Sequence, residues 1–237
     1  MPEFDKYQRS GAYHWRQVDR SRTNSAFNPP LLARYAVLAG KLPRRAGTLL
    51  DVGCGDGYLL AHAHQHNRHL ALYGVDTDAA GIALAHQHLQ QHGCSATLLH
   101  GSSYALPLPP ACMDVVTMAD VIEHLERPHH ALHEIRRVVR SGGVLLLSTP
   151  NRQPGGAWDH RHIHEYDAVE LHALLSLFFA TVEVVACWPM WWFRQWNSGG
   201  RKRRLINALA RNGCNPFALT TQHAFARHGQ LIVRATA

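Results

Sequence analysis

From Thr48 onward the chain alternates short apolar runs with segments whose apolar residues recur at helical spacing. Thr48–Val52 is a compact apolar run closed by glycines, which predicts a buried strand. A helix is expected over 57–67 and a second strand over Leu70–Asp76. Asp78 stands where an N-cap belongs, ahead of Ile82, Ala85 and Leu89 on one helical face. Ser95–His100 and Met113–Ala119 predict the third and fourth strands. Pro128–Arg140 predicts a helix with Leu132, Ile135, Val138 and Val139 inward, ended by Gly142-Gly143. Val144–Ser148 predicts a fifth, fully buried strand. Leu171, Leu174, Leu175 and Phe178 mark another helix, and Thr181–Cys187 and Leu231–Ala235 supply two last strands.

Strands alternating with helices over short connections predict an α/β fold with a doubly wound, mostly parallel, seven-stranded sheet and helices on both faces. Ligands of such sheets bind beyond the carboxyl ends of the strands, so the residues just after each strand are the ones to inspect. Three parts lie outside the alternation: residues 1–47, 150–166 and 188–229. Residues 1–47 read as an N-terminal helical extension or lid, with Asn28-Pro29-Pro30 opening a helix through Leu38. Residues 48–237 form the main domain, with an aromatic and basic insertion at 188–229 before the last strand.

The chain has 237 residues, enough for one such domain with modest insertions. No run approaches the length needed to span a bilayer, and 1–10 has no apolar core of a secretory signal. Five cysteines, odd in number and without a CxxC pair, suit a reducing cytoplasm. The net charge of +7 is concentrated at Arg16, Arg20 and Arg22 and at Arg194, Arg201–Arg204 and Arg211. Nineteen histidines are present; His62, His64, His66, His86, His88 and His92 read as exposed helix faces.

The chemistry concentrates at the turn Asp51-Val-Gly-Cys-Gly-Asp-Gly57. Gly53, Gly55 and Gly57 let the backbone turn sharply and let a ligand approach it. A dinucleotide fingerprint needs a third glycine at position 58, which is Tyr. A dinucleotide would also bring a pyrophosphate, whereas this turn carries two carboxylates, Asp51 and Asp56. A cationic ligand fits them better. Asp76, at the end of the second strand, is placed to accept from ribose hydroxyls.

Leu49–Gly57 resembles motif I of the class I S-adenosylmethionine (SAM)-dependent methyltransferases. Gly74-Val-Asp-Thr-Asp78 resembles their ribose-binding segment, and 114–128 and 141–151 resemble their later motifs. The flavour is that of the ubiquinone-biosynthesis O-methyltransferase type and related small-molecule enzymes. The resemblance implies a Rossmann-like fold, SAM as methyl donor, and a cofactor site of Asp51, Gly53, Cys54, Gly55, Gly57, Asp76, Thr77, Gly101, Ser102, Ser103 and Ala119. Where the family often has Gly-Asp at the adenine segment, this chain has Gly101-Ser102-Ser103.

Methyl transfer from a sulfonium needs positioning, and a base only where the acceptor must lose a proton. His124 and Asp120 are the candidate catalytic groups after the fourth strand, while Glu123 and His124 also read as caps of the next helix. Asp120, Glu123, His124 and His162 are a candidate divalent-metal set, similar to that of small-RNA 3′-terminal 2′-O-methyltransferases; a metal-free site is preferred. Tyr13, Trp15, His162, Tyr166 and Trp191 are the candidate acceptor-binding residues, and the loop 158–166 is expected at the active end.

The expected reaction is methylation of an oxygen, less favourably a nitrogen, of a small molecule. A metal-assisted RNA 2′-O-methyltransferase and a non-catalytic partner subunit are the alternatives. No DNA is expected, RNA is disfavoured, and a monomer or homodimer is open. Trp188, Trp191, Trp192 and Trp196 beside Arg201–Arg204 leave peripheral membrane contact through 188–204 open.

Overall fold

A computed structural model describes residues 6–153 and 159–237. It contains a single sheet of seven strands: β1 (Thr48–Val52), β2 (Ala71–Asp76), β3 (Ala96–His100), β4 (Met113–Ala119), β5 (Val139–Pro150), β6 (Thr181–Pro189) and β7 (His228–Thr236). Their order is β3-β2-β1-β4-β5-β7-β6. All neighbours pair in parallel except β7, which runs antiparallel to both β5 and β6. The order reverses between β1 and β4, which opens the crevice where such sheets bind ligands.

The central strands are buried on both faces, which explains their continuous apolar runs. Leu49, Leu50, Val115, Val116, Leu145 and Leu146 are all fully buried. Helices α4 (Tyr58–His66), α5 (Ala79–Gln91), α6 (Pro128–Val138) and α7 (Ala168–Ser176) connect them. Asp78 caps α5 as expected, accepting from the backbone N–H of Ala80 and Gly81.

One expectation fails at Gly142-Gly143. These glycines do not end a helix; α6 stops at Val138 and β5 has already begun. Register slips between Met113 and Val115 on the neighbouring β4. A Cβ on Gly143 would stand 2.9 Å from the Asp114 carbonyl oxygen, and Gly142 has φ +72°. Glycine is needed here because two backbones meet at an irregular ladder.

Before β1 lie α1 (Lys6–Ser10), α2 (Tyr13–Val18) and α3 (Pro29–Ala39). Asn28 caps α3 through the Leu31 N–H. The insertion folds as α8 (Met190–Asn197), α9 (Gly200–Arg211) and two 3-10 turns. It joins the N-terminal extension: Ala33 of α3 packs with Trp196, Ile206 and Phe217. Arg211 donates to the Asn24 carbonyl and Asn215 to the Pro29 carbonyl. Two segments nearly two hundred residues apart thus make one cap beside the strand ends.

His66, His86 and His92 are exposed as expected, but the surface reading needs correction at His62 and His88. The His62 ring stacks on Tyr58, and burial pulls its pKa down to about 4. His88 stacks on Trp15, and His92 lies against the same indole. These rings cover aromatic surface instead of facing only water.

Candidate functional site

A cavity of about 700 Å³ lies over the carboxyl ends of β1, β2 and β4, within the usual size for a small-molecule site. The glycine turn shapes one side. Gly53, with φ +76°, is where Val121 closes on the backbone, and any Cβ would clash with it. Gly53, Cys54, Asp51, Asp76, Thr77, Ala119 and the segment Gly101-Ser102-Ser103 all line the cavity.

Gly55 and Gly57 do not line it. Gly55 lies under the Tyr7 hydroxyl, with no room for a Cβ, and so lets α1 close on the turn. Gly57 has φ +76° and opens α4 against Ala85 of α5. Their role is to set the turn's shape and packing.

Asp51 is buried, accepts from the Thr117 hydroxyl at 2.7 Å, and pairs with no cation among the described residues. Burial, with Asp76 and Asp56 adding negative charge, pushes its pKa up to about 7. A buried carboxylate lacking a counter-charge fits a ligand that brings one. Asp76 accepts from the Gly55 N–H at 2.7 Å and the Asp78 N–H at 2.8 Å. These bonds aim its carboxylate, and each oxygen keeps a further lone pair for a ligand hydroxyl. Burial raises its pKa as well. Ser102 accepts from the Tyr104 N–H, which fixes its hydroxyl on the cavity wall.

Asp56 borders the cavity, but its carboxylate is already engaged. Its carboxylate accepts from the His14 N–H and meets the His14 ring at 2.9 Å, and its carbonyl accepts from the Trp15 indole. The second acid of the turn therefore anchors the N-terminal extension. This also removes Trp15 from the cavity, while Tyr13 does line it.

Asp120 has φ +53° and is fully engaged. It pairs with the buried Arg34 and accepts from Ser148 at 2.8 Å and Gln230 at 2.6 Å. It stands apart from the grouping that could hold a metal, which is Glu123, His124 and His162, with ligand atoms within 4.8 Å of one another. All three line the cavity. Glu123 accepts from Thr149 at 3.0 Å, while its Oε1 is buried without a partner. Burial pushes the Glu123 carboxyl up to about 7. His124 meets the Arg161 carbonyl through Nδ1 at 2.9 Å, and His162 meets Glu165 through Nδ1 at 2.7 Å. A carbonyl only accepts, so His124 Nδ1 carries the hydrogen and Nε2 is the basic nitrogen. Burial first, then His162, Lys6 and Arg161, lowers the His124 pKa, which keeps the ring neutral.

Two further expected acceptor residues are elsewhere. Tyr166 is buried in the main core, with its ring against His164. Trp191 is 61% exposed and leans on Trp192. Trp158, the start of the expected loop, lies outside the described residues. Trp188 lines the cavity instead, with its indole N–H buried and unpartnered. Lys6, Tyr7, His14, Arg34, Tyr35 and Gln230 also reach the cavity, none of them selected from sequence.

Residues 50–147 match a family model described as a methyltransferase domain. A protein of Mycolicibacterium smegmatis named "probable S-adenosylmethionine-dependent methyltransferase" is 36% identical over 153 residues, covering 60% of this chain and 56% of that protein. The ubiquinone biosynthesis O-methyltransferase of Maricaulis maris is 28% identical over 158 residues, covering 63% of this chain and 61% of that one. The matched stretch thus spans just over half the length of these relatives. Among solved structures, the Haemonchus contortus phosphoethanolamine N-methyltransferase 2 complex with S-adenosyl-L-methionine superposes with TM-score 0.69 at 15% identity, over 98% of this chain and 59% of that one. A geranyl diphosphate methyltransferase superposes with TM-score 0.64 at 16% identity, over 86% and 78%. These two likenesses concern the fold alone. Residues 50–147 are thus similar in sequence to methyltransferase domains, and the whole sheet has the fold of the solved methyltransferases.

Proposed function

We propose that this chain moves a methyl group from SAM to a hydroxyl oxygen of a small-molecule acceptor. The observation that carries the reading is a single cavity with two unlike halves. One half holds the unpaired carboxylates Asp51 and Asp76; the other holds the neutral, oriented imidazole of His124. SAM, when bound, supplies an electrophilic methyl on a sulfonium. Asp51 supplies the counter-charge to the cofactor's cationic end, and Asp76 accepts from its ribose hydroxyls. His124 Nε2 takes the acceptor's hydroxyl proton as the oxygen gains the methyl. Asp120 is a positioning residue in this account: it holds Arg34 and ties β5 and β7 to the end of β4. The resemblance to the ubiquinone-biosynthesis enzymes favours oxygen over nitrogen as acceptor.

The test is turnover of SAM to S-adenosylhomocysteine (SAH) with a panel of phenolic and amine acceptors. A general base of this kind contributes roughly 10²- to 10⁴-fold. His124→Ala should therefore lower kcat by about that factor with phenols while SAH affinity stays unchanged. Equal turnover of the variant would remove His124 from the mechanism.

A second reading rests on the Glu123, His124 and His162 grouping. Both imidazoles are oriented through Nδ1 by a carbonyl or carboxylate, as hydrogen-bond partners orient metal-binding histidines, and Glu123 Oε1 lacks a partner. The set fits a divalent transition ion of zinc or manganese type, which would acidify an acceptor hydroxyl. Lys6 and Arg161 nearby add positive charge that opposes a dication, so the metal-free reading is preferred. Full activity in excess chelator is its expected result; loss that Mn²⁺ or Zn²⁺ restores would favour the metal. The metal-assisted RNA 2′-O-methyltransferase would need that same restoration, with RNA as acceptor.

A further inference from the structure

The acceptor half of the cavity is rich in donors that lack acceptors. Lys6, Arg34 and Arg161 all line it. Arg161 gives its guanidinium to Asp159, with contacts of 2.6 and 3.0 Å. Arg34 gives its own to Asp120, yet its Nε is buried without a partner. The Trp188 indole N–H on the same cavity wall is likewise unpartnered. Lys6 is a cation without an ion-pair partner: among the described residues no carboxylate pairs with it, and its Nζ rests 4.2 Å from the centre of the Tyr13 ring. Burial, then Arg34 and Arg161, draws its pKa down to about 8, the response of an ammonium held among like charges.

No carboxylate near this region forms an ion pair with Lys6, and Asp56 and Asp159 attract it only at longer range. Asp56 is held by His14, Asp120 by Arg34 and Asp159 by Arg161. Glu123 is buried with its pKa raised to about 7, so its charge is only partial near neutral pH. A half-buried cation with no partner is costly unless a ligand completes it.

We infer that the acceptor carries an anionic group, a carboxylate or a phosphate, and that Lys6 binds it at the N-terminal side of the cavity. The inference rests on the methyl-transfer reading and adds the class of acceptor to it. The anion would fix which hydroxyl meets His124, because a charge-assisted bond to one end of a small molecule sets the reach of the other. Lys6 lies on α1, so acceptor binding would also hold the extension closed over the cavity.

The test is calorimetry on SAH-loaded protein with three ring compounds: benzoate, phenyl phosphate and the neutral benzamide. Benzoate or phenyl phosphate should bind at least tenfold more tightly than benzamide, and the tighter of the two names the anion. Lys6→Gln should abolish the preference, and Lys6→Arg should keep most of it. Equal binding of all three compounds would overturn the inference, as would a preference that survives Lys6→Gln. Loss of SAH affinity in Lys6→Gln would overturn it too, by assigning the ammonium to the cofactor's own carboxylate. A protein that fails to bind SAH at all would instead reject the methyl-transfer reading.

Discussion

Asp51 and Asp120 have the same side chain, and their surroundings give them opposite duties. Asp51 is buried with no cation, so its charged form is penalised. Its folded pKa, about 7, lies above the ordinary 3.8. The ligand-free protein should therefore lose stability through this group as pH rises between those values, and show no further loss above about 7. A cationic ligand favours the ionised form. The thermal shift produced by SAM should accordingly be larger at pH 7.5 than at pH 5.5, and Asp51→Asn should flatten that dependence. Asp120, by contrast, is the partner of a guanidinium that is 7% exposed. Asp120→Ala leaves that charge buried and unpaired, which costs roughly 3–5 kcal/mol. Denaturant unfolding should show a loss of that order, whereas His124→Ala should unfold almost like the parent.

At the scale of elements, the site is a turn closed by a helix. Gly55 is required because the Tyr7 hydroxyl of α1 occupies the place of its Cβ. Gly55→Ala should push α1 away and weaken SAH binding. Truncating the obstructing ring in Gly55→Ala/Tyr7→Ala should recover much of what Gly55→Ala loses, and calorimetry on the double-mutant cycle would measure that coupling. Purely additive losses would show that the strained φ of +50° is the whole effect. This pairing also marks where the sequence stops being informative. The turn is legible because its geometry is local: strand, glycines and acids lie within nine consecutive positions. Tyr7 on Gly55, Arg34 on Asp120 and the shared cap of α3 and α9 are contacts between distant segments, and no spacing announces them. Which of four clustered tryptophans meets the cavity depends on where β6 gives way to α8. Trp188 precedes that junction and points inward; Trp191, three residues later, faces out. Asp56 misleads for the same reason, since its partner His14 lies in a segment with no pattern of its own.

For the whole molecule, the sheet fixes a crevice and two non-contiguous segments roof it. No described helix is long and apolar enough to cross a membrane. Trp191, Leu205 and Leu209 are exposed on the outer side of the cap, beside Arg201, Lys202 and Arg204. If this face meets lipid, neutralising those three cations should reduce retention on anionic vesicles and leave neutral vesicles unaffected. The central claim, however, is that the crevice takes SAM through Asp51, Asp76 and the glycine turn. Titration calorimetry of the full chain with SAM tests it most directly. The account predicts one site per chain, with affinity lowered at least tenfold by Asp76→Ala while the fold is retained. Absence of measurable SAM binding by the folded parent protein would contradict it.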